Sequence, residues 1–113
     1  MQRDDAALLD IARYAQQILN FSQDMNETQL AADTRTQAAI LYYIAVIGEA
    51  VKRLSPDFRS QHPDIPWTDI AGMRDKVIHQ YDRVKLDVVW NTVQQDIPEL
   101  LRLLTPLLPP PPP

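Results

Sequence analysis

A chain of 113 residues suffices for one hydrophobic core and is too short for two, so a single domain is expected. Its 45% hydrophobic and 23% charged residues exclude a disordered or fibrous chain, and the absence of cysteine excludes disulfide frameworks, thiolate metal sites and thiol nucleophiles. A net charge of -4 argues against an extended basic surface that neutralises many phosphates at once, while leaving room for a short basic site.

The N-terminus, Met1-Gln2-Arg3-Asp4-Asp5, has no basic segment followed by an apolar one, and no apolar run approaches the ~20 residues that span a bilayer. A cytoplasmic location is expected. From Asp4 to Phe21, Leu8, Ile11, Ala12, Ala15, Ile18 and Leu19 recur at steps of three and four, which predicts an amphipathic helix. The polar stretch Ser22 to Thr28 interrupts the pattern. A second run, from about Asp33 to Leu54, stops before Pro56, which pushes Ser55 away from helical angles. Its stripe of Ala39, Ile40, Tyr43, Ile44, Ile47, Ala50, Val51 and Leu54 is broad enough for two neighbours, as in a central core helix.

Residues 55–66 hold Pro56, Pro63 and Pro66 with Asp57, Ser60 and Asp64, and predict an irregular, exposed connection. Trp67 to Ala71 suggests one short turn, Gly72 re-aims the chain, and a third helix is predicted over residues 73–81. Asp87 suits the N-cap of a last helix carrying Val88, Val89, Val93, Ile97, Leu100, Leu101 and Leu104, kinked by Pro98 and ending near Thr105. Pro109 to Pro113 cannot continue a helix and reads as a frayed polyproline tail. With no strand alternation and no repeat, the fold expected is an all-α antiparallel bundle of four to five helices over residues 1–105, followed by a proline-rich tail, 106–113.

Two histidines are present, which leaves no multi-histidine metal site and few groups for acid–base work near neutral pH. His62 stands in Gln61-His62-Pro63-Asp64, among turn formers, and reads as an ordinary loop residue. His79 stands in a stretch, 74–85, where Arg74, Lys76, Arg83 and Lys85 outnumber Asp75 and Asp82 in an otherwise acidic chain. Such a run is commonly a solvated face held by spaced ion pairs; it is also the one place suited to an anion.

On a regular helix Arg74 and His79 stand about 140° apart, whereas Asp75 is about 40° from His79 and able to hold one ring nitrogen. Tyr81 returns to the arginine's face. For Arg74 and His79 to act on one phosphate, either the helix is distorted between them or two copies meet across a symmetric interface.

The spacing Arg-x4-His-x-Tyr, here Arg74, His79 and Tyr81, resembles the motif of HepT toxins in the HEPN superfamily. The flanking residues are similar too: Ile47-Gly48-Glu49-Ala50 late in the long helix, Trp67 before the motif, and Val89-Trp90 and Asp96-Ile97-Pro98-Glu99-Leu100 after it, so that most of residues 5 to 104 is covered. The resemblance implies a homodimeric helical bundle that cleaves RNA without metal or cofactor, with arginine and histidine of both subunits lining one cleft. It also implies a minimal nucleotidyltransferase antitoxin of the MntA kind that transfers AMP to the motif tyrosine, which by position is Tyr81. Where many such motifs have asparagine after the arginine, this chain has Asp75, whose charge opposes a phosphate.

Metal-free cleavage uses the substrate's own 2′-hydroxyl, with a proton acceptor, a proton donor and positive charge at the phosphorane oxygens. His79 is expected to do the acid–base work, Arg74 to contact the scissile phosphate, Asp75 to orient the imidazole and Tyr81 to line the cleft. Two rivals are a non-catalytic binding or substrate-holding subunit of a nucleotidyltransferase complex, and a plain helical dimer in which Arg74 and His79 merely pair. Glu49 either pairs with Arg53 on the helix surface or faces Arg74, the former favoured by the rarity of buried glutamate. Trp67, Trp90, Tyr42 and Tyr43 are expected to pack rather than stack bases.

Overall fold

The computed structural model describes residues 3–79 and 83–110, with only the backbone at His79 and Arg83. Two 20-residue helices, α1 (Arg3–Ser22) and α3 (Thr34–Arg53), form an antiparallel pair at its centre. Their facing sides are the predicted stripes: Leu8, Ile11, Ala15 and Ile18 of α1, and Ile40, Ile44, Ile47 and Val51 of α3, are completely buried. Full burial of such a side chain is worth roughly 1.5–3 kcal/mol, so this seam outweighs any exposed ion pair in the molecule.

Between them lies a helix that the polar composition concealed, α2 (Glu27–Ala32). Asn26 Oδ1 accepts the Gln29 N–H at 2.8 Å while Gln29 Oε1 accepts the Asn26 N–H at 2.8 Å, so each satisfies an amide the helix start would leave open. Asp33 ends α2 and begins α3, accepting the Thr36 N–H at 3.0 Å and its hydroxyl at 2.8 Å. These two bonds hold the Asp33 carboxyl below its ordinary pKa.

The connection after α3 is also more ordered than its prolines suggest. Pro56 opens a helix, α4 (Pro56–Gln61), because proline needs no N–H partner in a first turn and Ser55 Oγ caps it by accepting the Phe58 N–H at 3.1 Å. The carboxylate of Asp4, on the first turn of α1, accepts the Ser55 N–H and its hydroxyl, both at 2.8 Å. Ile65 is buried, so this segment is not wholly exposed.

Two short helices follow, α5 (Trp67–Ala71) and α6 (Met73–Val77). The predicted helix over 73–81 therefore stops four residues early. Ile78 is extended at φ -111, ψ 120, and a two-residue antiparallel pair, β1 (Ile78–His79) with β2 (Arg83–Val84), matches Ile78 to Val84 and His79 to Arg83. The Lys85 N–H then donates to the Val77 carbonyl at 2.8 Å, satisfying an acceptor at the helix end. Apart from this pair, the described residues form the expected all-α bundle.

The last helix begins at Leu86 with Lys85 at its N-cap position and no side-chain cap, so Asp87, expected as the N-cap, lies within its first turn. It comprises α7 (Leu86–Asn91), a π-helical turn (Thr92–Asp96) and α8 (Ile97–Leu104). The Ile97 N–H reaches back five residues to the Thr92 carbonyl, a wide turn directly before Pro98, which has no N–H to give and crowds the carbonyl four residues back. The expected disturbance at Pro98 is this π turn. Val89, Val93, Ile97, Leu100 and Leu104 are buried on its inner side, and Leu107 and Leu108, assigned from sequence to the tail, pack partly against the core. Of the proline run, residues 111–113 lie outside the described residues.

Two expectations follow. A Cβ at Gly48 would sit 2.8 Å from the Ala71 carbonyl oxygen, a backbone atom that cannot rotate away. Alanine is the better helix former by about 1 kcal/mol, but overpacking costs about 1–3 kcal/mol, so Gly48→Ala should lower the melting temperature rather than raise it. The second concerns acid. The Ser55 N–H and then its hydroxyl lower the Asp4 pKa from 3.8, so this contact stabilises fully above that value and is lost as pH falls through the lower folded value. Thermal melts of Asp4→Asn should show lower stability at neutral pH and a flatter acid limb than the parent chain.

Candidate functional site

The sequence motif spans the end of α6 and the start of β1. Arg74 and Asp75 lie on α6, and both are open to solvent, at 52% and 85% side-chain exposure. Their charged groups approach only to 3.8 Å, too long for a hydrogen bond and worth little at such exposure. Met73 and Val77, on either side of Arg74, are buried and anchor the helix. The anchors fix the arginine's backbone while leaving its guanidinium at the surface.

His79 belongs to β1, not to α6. The break answers the geometric difficulty of the regular helix: Arg74 and His79 sit on two segments joined at the Ile78 bend, so the 140° separation does not apply. The same break removes the one-turn helical route by which Asp75 was expected to reach the imidazole. Tyr81 lies outside the described residues.

Strand register adds a residue that the motif does not contain. Arg83 is paired with His79 across the strands, which brings a fourth position of the basic stretch beside the motif's backbone. Its distance in sequence gave only a count of cations; the pairing gives it a place.

The other candidates have structural roles. The His62 carbonyl accepts the Trp67 indole N–H at 3.1 Å, and the His62 ring lies 4.6 Å from that of Phe58. Trp67 is buried and Trp90 packs partly on the core, as expected of anchors. Glu49 pairs at the surface, with Lys52 at 3.2 Å rather than with Arg53, which instead meets Asp10 at 2.6 Å. Tyr43 is half-buried between stacked Tyr14 and Phe21 rings, whereas Tyr42 is 61% exposed.

A shallow groove of about 150 Å³ runs beside α6, floored by Ile70, Met73 and Leu100. Its rim carries Asp69, Asp96 and Glu99 against Lys76 alone, the wrong sign for a phosphodiester, and Arg74 is not part of it. Arg74 opens on another side of α6 from Lys76, which stands two residues on and about 200° around the helix, and the backbone of Arg83 lies across the strands from that of His79.

Comparison with known proteins gives a consistent picture. Residues 11–107, which include the whole motif, match the family model described as "Ribonuclease HepT-like". The chain is 42% identical over 95 residues to the Methanocaldococcus jannaschii protein named "Putative RNase MJ0125", covering 84% of this chain and 82% of that one. It is 42% identical over 93 residues to "Probable ribonuclease HepT" of Thermococcus cleftensis, covering 82% and 84%. No solved structure matches.

Proposed function

The chain belongs to the ribonuclease HepT-like family, and on that premise we propose that it is a metal-independent RNA endonuclease, the toxin of a toxin–antitoxin pair, acting at a homodimer cleft. The observation that carries this reading is the end of α6 at Val77, which puts the arginine and the histidine of Arg-x4-His-x-Tyr on segments meeting at a bend instead of on diverging faces of one helix. The exposed guanidinium of Arg74 supports it, since a structural arginine would be paired or buried.

The chemistry runs through the substrate's own 2′-hydroxyl. His79 accepts that proton as the 2′-oxygen bonds to the adjacent phosphorus, and Arg74 donates two N–H groups to the phosphorane oxygens. The bond to the 5′-oxygen then breaks, and that oxygen leaves with a proton from a second imidazole, the partner's His79. The products are a 2′,3′-cyclic phosphate and a 5′-hydroxyl. Asp75, 3.8 Å from the guanidinium and open to solvent, does not hold it, and its charge opposes the incoming phosphate and moderates the rate.

General acid–base catalysis is worth roughly 10²–10⁴-fold, so His79→Ala should reduce RNA cleavage by about that factor with its helical circular dichroism unchanged. His62→Ala should cleave at the parent rate. Equal activity of parent and His79→Ala chains would refute the assignment and favour a substrate-holding subunit. Activity that a chelator abolishes and added metal restores would refute metal independence.

Regulation is assigned to Tyr81. An MntA-like nucleotidyltransferase partner would transfer AMP to its hydroxyl, adding bulk and a phosphate's negative charge where the RNA backbone binds. Mass spectrometry of the chain co-expressed with such a partner should find one AMP on Tyr81 and cleavage suppressed. An unmodified tyrosine under those conditions counts against the antitoxin mechanism and leaves the nuclease intact.

A further inference from the structure

Among the described residues, helix α3 has one face that no other element covers. Stepping 100° per residue from Tyr42, the side chains of Ala38, Ala39, Ala45 and Val46 all fall within about 60° of it. Ala38 and Tyr42 are exposed and the other three are half-buried, while Ile40, Ile44 and Ile47 on the opposite side are completely buried. A solvent face of a surface helix is ordinarily polar, as on α1, where Gln16 and Asn20 are bonded to each other at 3.1 Å. Here the middle of the face is apolar, and at its centre stands the most exposed large apolar side chain described, Tyr42 at 61%.

Charge closes this face at both ends. Arg35 and Glu49 lie seven residues before and after Tyr42, each within about 20° of its line, and both are exposed. A nucleic acid is disfavoured as the occupant, because Arg53, on the same line, is already paired with Asp10, which leaves Arg35 at one end and Glu49, bridged to Lys52, at the other rather than a basic stripe. A symmetric arrangement of opposite charges about a central residue is what a second copy of the same helix requires.

We propose that the α3 face centred on Tyr42 packs antiparallel against the same face of a second copy, about a two-fold axis passing between the two Tyr42 side chains. Residue 42+n then meets residue 42−n. Arg35 faces the partner's Glu49 and the reciprocal pair forms as well; Ala38 faces the partner's Val46, and Ala39 the partner's Ala45. Small residues opposite larger ones let the helices approach to about 8–10 Å, and no like charges meet.

The arrangement bears on the site. α5 flanks α3 on one side, at the Gly48–Ala71 approach, and α1 flanks it on the other, at the Tyr43–Tyr14 stack. An axis perpendicular to both α3 helices and to the line joining them keeps each flank on its own side. Both copies of α6, each carrying Arg74, therefore open on one common side of the dimer. In that respect the inference rests on the shared-cleft reading and names the surface that builds it.

The chain has no cysteine, which permits a clean test on the full-length protein. Under mild oxidation Tyr42→Cys should form a disulfide-linked dimer. Arg35→Cys alone should not, because positions 35 of the two copies lie about 21 Å apart along the helices, beyond the ~7 Å reach of a disulfide. Arg35→Cys combined with Glu49→Cys should link, and Ala38→Cys combined with Val46→Cys provides the same register check should a variant at Tyr42 lose its helical circular dichroism. By sedimentation, Arg35→Glu should weaken the dimer about tenfold, and adding Glu49→Arg should restore it.

A chain that sediments as a dimer while neither Tyr42→Cys nor the paired variants link overturns this interface and leaves the shared cleft standing. A monomer at all concentrations overturns both. A linked dimer that cleaves no RNA upholds the interface and refutes the nuclease.

Discussion

The approach of Ala71 to Gly48 governs where the motif sits. A helix backbone reaches another element this closely only where no side chain intervenes, and here the Ala71 carbonyl occupies the space a Cβ would fill. That contact seats α5 on the rigid α1–α3 seam, and α6 follows after only Gly72. Arg74 thus projects from a five-residue helix whose position is set by the central pair rather than by its own length. A helix so short has little stability in isolation, and its burial at Met73 and Val77 supplies what propensity does not.

The second determinant is the end of α6. A helix running on to residue 81 would spread the motif's arginine and histidine around its circumference. The extended turn at Ile78 and the Lys85 bond to the Val77 carbonyl end it, and the chain returns through β2 to the last helix. The local stop therefore serves the site as directly as any side chain does. The same return sets Arg83 opposite His79 in register, so that two positions of the basic stretch meet along the strand backbone.

The long elements were legible because apolar periodicity over 20 residues leaves few alternatives: α1 and α3 begin and end within about one residue of the expected limits, and most of their predicted stripes is the buried core, with Ala12, Leu19, Ala39 and Tyr43 only half-buried. The short ones were not, although part of the signal was present. Asn26-x-x-Gln29 is a reciprocal capping pair, and Ser55-Pro56 is a helix start as much as a stop; in both cases the polar or proline-rich composition hid the cap. The π turn before Pro98 could be anticipated as a disturbance but not in form, since the backbone has several ways to bypass a missing donor.

At the site itself, sequence alone determined the residue types and their order: one arginine, one histidine, a tyrosine, and the family to which their spacing belongs. It also determined that α3 would be the core helix, because its stripe is too wide for one neighbour. Only the tertiary structure decided that α6 stops at Val77, that Arg83 pairs with His79, and which face of α3 the other described elements leave uncovered. The reason is physical: periodicity fixes what one element buries, whereas the end of a short helix and the register of a strand pair depend on bonds to residues far along the chain.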